Sequence, residues 1–144
     1  MTSDAGEGIA VLDVQTCWQL LAGEEVGRLA VSVGQHPDIF PVNYAVDEET
    51  IVLRTAEGTK LAALSVDSAV AFEVDDYDTE AGTAWSVVIK GRAAEIPMHD
   101  LPDDLAFPLF SWTATPKPRF VRVVPDEITG RRIHVVQRRP GPTG

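Results

Sequence analysis

Residues 39–64 read IFPVNYAVDEETIVLRTAEGTKLAAL. Ile39 to Val46 and Ile51 to Thr55 are rich in β-branched and aromatic residues, and both predict strands. Asp47-Glu48-Glu49-Thr50 between them has the length of a hairpin connection. Pro41 has no N–H to give to a ladder. At that point the first strand is expected to be an edge, a bulge or an opening onto a ligand. Gly58 permits a turn that other residues resist. Thr59 to Ser65 then predicts a short helix, with Leu61 and Leu64 pointing inward.

The same period continues outward. Arg28 to Val33 alternates, with Leu29, Val31 and Val33 on one face. Ala69 to Val74 alternates with Val70, Phe72 and Val74 inward. Trp85 to Ile96 predicts a long strand, and Gly91 within it a bulge or sharp bend. Phe120–Val124 and Ile133–Val136 predict two last strands, joined by a loop over Pro125–Gly130. Residues 34–38 and the acidic run Asp75–Gly82 read as loops. Residues 107–118 carry Pro108, Pro116 and Pro118 and predict an irregular excursion.

Asp13 is a good N-cap for a helix to about Ala22. Val14, Cys17, Trp18 and Leu21 give that helix one apolar stripe. Gly23 can end it in the left-handed conformation, and Asp100 can cap a short helix near 101–106. No helix separates successive strands, and most connections are hairpin length. The pattern therefore predicts an antiparallel barrel or sandwich rather than a parallel βαβ sheet. One domain is expected over residues 10–137, with a disordered tail at 1–9 and a flexible one at 138–144.

The 144 residues carry 12 bases against 22 acids, a formal charge of −10. All the acids precede Gly130, so residues 1–130 hold eight bases against 22 acids. Such a body repels nucleic-acid phosphates and anionic membranes, and an anionic ligand needs a local basic pocket. The single cysteine, Cys17, rules out an intrachain disulfide. It lies on the apolar stripe and reads as a core residue rather than a reactive thiol. The N-terminal residues have neither a basic region nor an apolar core of the kind that directs secretion. No apolar run approaches the ~18 residues that span a bilayer. A cytoplasmic location is expected.

The chemistry concentrates at Arg54-Thr55-Ala56-Glu57-Gly58-Thr59-Lys60. A glycine turn opening a helix presents backbone N–H groups and the positive end of the helix dipole. Thr55 and Thr59 add hydroxyls, Lys60 a point charge and Arg54 a forked one. The order Gly-Thr-Lys is not a Walker loop. On these residues alone a solvated turn is the stronger reading. His36, His99 and His134 have no metal-ligand spacing. Asp75, Asp76, Asp78 and Glu80 lack the glycine and terminal glutamate of a calcium loop. No G-x-S-x-G elbow nominates a nucleophile, so any catalysis falls to a cofactor.

Six segments in order resemble the pyridoxamine 5′-phosphate oxidase-like family, in its small actinobacterial branch. They are VGRLAV (26–31), IFPVNY (39–44), LRTAEGTKLAAL (53–64), AFEVDDYD (71–78), WSVVIKGRA (85–93) and RFVRVVPDEITGRRI (119–133). The resemblance spans about residues 10–135. It implies a mainly β fold: a six-stranded antiparallel Greek-key split barrel with an N-terminal helix and short peripheral helices. It implies a homodimer with FMN at the subunit interface. Arg54, Thr55, Gly58, Thr59 and Lys60 would hold the FMN phosphate. Pro41, Val42 and Asn43 would lie along the isoalloxazine. Trp85 and Ser86, from the other subunit, would meet its polar edge. Phe120 and Arg122 would close the pocket, and Trp85, Trp112 and Phe120 are expected near one mouth of the barrel.

The Arg and His residues that hold a substrate phosphate near the C-terminus of pyridoxal-phosphate-forming members have no match here. The resemblance thus implies an FMN-dependent oxidoreductase acting at flavin N5 on a small molecule. Two rivals share the scaffold: a reductase using the deazaflavin F420, and a non-catalytic flavin- or haem-binding module. F420 has a long anionic tail and needs an extended basic groove, for which Arg54, Lys60 and Arg119 are the local bases.

Overall fold

Alternation of inward apolar and outward polar residues is what closes the sheet. The computed structural model of the chain describes residues 8–56, 68–105 and 118–134. β1 (Ile9–Val11) leads into α1 (Val14–Ala22). There follow β2 (Val26–Val33), β3 (His36–Asp47), β4 (Thr50–Ala56), β5 (Ser68–Asp78), β6 (Thr83–Ile96), a 3-10 turn at Met98–Asp100, and β7 (Pro118–His134). The strands neighbour one another in the order β1-β7-β4-β3-β2-β5-β6, and β6 also pairs with β7. That last pairing closes β2 to β7 into a six-stranded barrel. Every pairing is antiparallel.

The inward set fills the barrel. Leu29, Ile51, Leu53, Phe72, Val74, Val87, Ile89 and Val123 have no exposed surface, and Val42 and Tyr44 are almost as covered. Tyr44 meets Phe72 edge to face, with ring centroids 5.1 Å apart. Its hydroxyl donates to the Leu21 carbonyl at 2.5 Å, tying α1 to β3. A barrel of six strands is narrow enough to be filled by its own side chains. The described inward side chains occupy the interior, which turns attention to the barrel's outer face.

α1 follows its sequence at the start. The Asp13 carboxylate accepts from the Thr16 N–H at 2.8 Å. Cys17 and Leu21 are buried, but Val14 is 52% exposed and Trp18 only half-buried. The helix does not end as expected. Gly23 has φ −90° and ψ −3°, a right-handed conformation, with its N–H on the Leu20 and Leu21 carbonyls.

Other expectations change. Of the loop expected over Asp75–Gly82, residues 75–78 continue β5. Residues 120–134 do not form two strands around a loop. β7 is continuous, and Pro125 faces Gly91 where the β6 register shifts. The register shift expected at Gly91 is present, with the extra residue, Asp126, on β7, and a Cβ on Gly91 would run into the Val124 carbonyl. Residues 36–38 join β3 instead of a loop, because Gly34 takes φ +64° and tightens the β2–β3 turn. Ile9–Val11 forms a strand on β7, against Ile133 to Arg131. Three residues are too few for the sequence to announce. The helix expected at 101–106 is displaced to the 3-10 turn at Met98–Asp100, and Leu101 is already extended.

The β3–β4 hairpin is as tight as expected and more strained. Glu48 has φ 47° and Glu49 φ 61°, the left-handed pair that a two-residue turn requires and that Asn and Gly meet at least cost.

Candidate functional site

Antiparallel partners project to the same face, so the ladder registers locate the outward side chains. Asn43 pairs with Arg54, Arg54 with Phe120 and Phe120 with Ile96. These four form one row across β3, β4, β7 and β6. The next row is Ala45, Val52, Arg122 and Ala94. The structure therefore brings together Asn43, Arg54, Phe120 and Arg122 on one outer face. Leu101 and Leu105 pack against Val52, Ile96 and Phe120 and cover part of it.

β3 and β4 part at this row. Their ladder ends at Asn43 and Arg54, while Thr55 and Ala56 follow β7 alone, opposite Arg119 and Pro118. Pro41 lies just past the parting, exposed, and among the described residues pairs with Arg28 of β2 alone. Its missing N–H thus falls where the described β3–β4 ladder has ended. Asn43 is 1% exposed, a polar side chain enclosed at the point of divergence. Gly58, Thr59 and Lys60 lie outside the described residues, as do the helix expected at 59–65 and Trp112.

Other expected positions differ. Val42 points into the core at 3% exposure, so it can offer a ligand only its backbone. Thr55 alternates with Leu53 and is 3% exposed, on the inward set rather than beside Arg54. Trp85 and Ser86 pair with Arg132 and Arg131. They lie eleven and ten residues along β6 from Ile96, up to about 36 Å of strand at the usual rise. Trp85 and Phe120 therefore do not share one mouth. A single chain does not carry Trp85 and Ser86 to Arg54.

Arg122 was missed as one part of a clamp. Its Nη1 donates to Asp47 Oδ2 at 2.9 Å and to Thr50 Oγ1 at 2.6 Å. The Thr50 hydroxyl in turn donates to the Asp47 carbonyl at 2.6 Å. Both ends of the strained Glu48-Glu49 turn are thereby pinned to β7. The hairpin acids gave no hint of this, because the contact spans 75 residues. Arg119 likewise pairs with Glu95 across β7 and β6.

Titration behaviour disfavours two groups as nucleophiles. Burial pushes the Cys17 thiol up, and the nearby Asp13 charge adds to this, which disfavours the thiolate. Burial likewise pushes the Tyr44 hydroxyl up, with a smaller contribution from Glu24. On the far side of the barrel Glu73 is raised to about 7. Burial is the main cause and Asp75 adds to it, outweighing Arg28 at 2.9 Å. Among the described residues no group of three or more metal-ligating side chains occurs.

Residues 13–132 match the model of the family described as pyridoxamine 5′-phosphate oxidase. The chain belongs to this family. An uncharacterized Mycobacterium tuberculosis protein is 31% identical over 137 residues, 92% of this chain and 90% of the relative. A crystal structure of a candidate pyridoxamine 5′-phosphate oxidase from Corynebacterium glutamicum superposes with a TM-score of 0.76 at 33% identity. It covers 95% of this chain and 99% of that one. An FAD-binding protein from Mycobacterium smegmatis gives a TM-score of 0.67 at 35% identity, covering 87% of this chain and 98% of that one. The six-stranded split barrel expected of the family is the fold observed, with β1 as an additional short strand.

Proposed function

We propose that this protein is a flavin-dependent oxidoreductase that holds FMN, or the FMN portion of FAD, on the outer face where β3 and β4 part. The observation that carries this reading is the Asn43–Arg54–Phe120 row beside that parting. It sits on a barrel whose described interior is filled by side chains, and Arg54 stands four residues before Gly58-Thr59-Lys60 in the sequence. Arg54 and Lys60 would meet the flavin phosphate, with N–H groups of the turn completing the cradle. The backbone of Pro41 to Asn43 would lie along the ring. When bound, a flavin supplies hydride acceptance and donation at N5. The chain's own part is to anchor the phosphate, exclude water from one ring face through Phe120, and orient the ring.

Trp85 and Ser86 can join this site only from a second copy, so a homodimer belongs to the proposal, as does the cytoplasmic location. The M. smegmatis relative is named for FAD, which contains the same phosphate and ring as FMN. F420 fits less well. Arg119 is engaged by Glu95, and Arg92 and Arg122 by Asp126 and Asp47. These pairs leave the outer face poorly suited to a polyanionic tail.

The test is the visible spectrum of the purified protein, followed by mass analysis of what it releases on denaturation and by titration with FMN, FAD and F420. Flavin absorbance that is lost in Lys60→Ala supports the reading. Colourless protein that binds neither FMN nor FAD sinks it, and preference for F420 moves the assignment to that cofactor. Turnover of reduced flavin no faster than free flavin would leave a binding module instead of an enzyme.

A further inference from the structure

A groove of about 770 Å³ runs along the outer face of β6 and β7, within the size range of small-molecule sites. Ala94, Ile96, Pro97 and Val124 give it an apolar wall. Val124 is 50% exposed there. Arg92 and Arg122 border the same groove, together with Glu95, Asp100 and Asp126.

The charges are compensated pair by pair. Arg122 is held by Asp47 at 2.9 Å, Arg92 lies 3.7 Å from Asp126, and the neighbouring Arg119 is held by Glu95. Asp100 adds a carboxylate whose neighbour is His99 at 3.5 Å. Three guanidinium groups thus face four carboxylates. An anion approaching any of the arginines meets that arginine's own carboxylate, and like charges brought together cost binding. An amine or a hydroxyl meets acceptors instead, while the apolar wall takes a ring.

We infer that this groove binds an uncharged or cationic organic molecule with an apolar ring, and rejects phosphate esters. The inference rests on the flavin reading only in making that molecule the reaction partner of the flavin, since the groove shares Arg122 with the proposed cofactor face. The charge selection follows from the pairs themselves. It also gives a physical reason for the missing phosphate-binding Arg and His set.

The test uses the full chain labelled with ¹⁵N and three probes that differ only in charge: benzyl alcohol, benzylamine and benzyl phosphate. The amides of Ala94, Ile96 and Val124 are expected to shift with the alcohol and the amine, and about tenfold more weakly with the phosphate. In the double variant Glu95→Gln/Asp126→Asn, which takes a carboxylate away from each of Arg119 and Arg92, benzyl phosphate is expected to gain. Both side chains are at least half exposed, so the fold should tolerate the change. Benzyl phosphate binding the unaltered chain as well as benzylamine overturns the inference. So does the absence of shifts with all three probes, or an unchanged order in the double variant. Flavin titration of the same samples separates the two readings: selectivity retained without flavin binding removes the oxidoreductase assignment alone.

Discussion

Asp47→Ala should destabilise the protein well beyond an ordinary surface substitution. Asp47 Oδ2 lies 2.9 Å from Arg122 Nη1, and the side chains are 20% and 27% exposed. At an effective dielectric of about 20, unit charges at that separation attract by roughly 6 kcal/mol. Desolvation and side-chain ordering cancel most of this. Exposed pairs retain about 0–1 kcal/mol, whereas breaking a buried pair costs about 3–5 kcal/mol. The intermediate exposure places Asp47→Ala at about 2 kcal/mol. For a chain of this length that corresponds to a fall in Tm of roughly 4–8 °C. Urea denaturation of Asp47→Ala, Arg122→Ala and the double variant gives the coupling directly, expected at about 1–2 kcal/mol. A coupling below about 0.3 kcal/mol, within the scatter of independent sites, would refute the clamp. The strained turn would then stand without it.

The turn itself supplies a second prediction. Glu48→Asn with Glu49→Gly puts residues suited to positive φ where φ is 47° and 61°, and should raise stability by about 1 kcal/mol in thermal melts. A loss of stability would show that the glutamates make compensating contacts. The third concerns pH. Glu73 is raised to about 7 from 4.5, chiefly by burial. The folded state therefore holds a proton that the unfolded state releases between those values, and this contribution to stability falls as pH rises from about 4.5 to about 7. Glu73→Gln should flatten that part of the Tm–pH profile, and an unchanged slope would show that Glu73 is not its source.

Period-two alternation made most of the barrel legible. Leu29 and Val31, Ile51 and Leu53, and Val70, Phe72 and Val74 face inward as their spacing requires, because a strand offers only two faces. Gly91 signalled its bulge for a comparable reason: the site has no room for a Cβ. The continuity of β7 was not legible. Pro125 and Gly130 are turn residues in isolation, and the strand runs past the proline through a register shift that skips Asp126 on β7, opposite a Gly91 with no room for a Cβ. Gly23 misled for a similar reason, since right-handed and left-handed helix ends both accept glycine.

The candidate site divides along the same line. The sequence by itself determined which residue types are available: a glycine turn flanked by Arg54 and Lys60, a proline that weakens β3, and too few bases for a polyanion. Those are local or additive properties. The tertiary structure alone decided that Asn43, Arg54, Phe120 and Arg122 share one outer face, and that Val42 and Thr55 are turned inward. It also decided that Trp85 and Ser86 lie too far along β6 to join them within one chain. Ladder register sets these relations, and register couples residues up to 75 positions apart that no local pattern links.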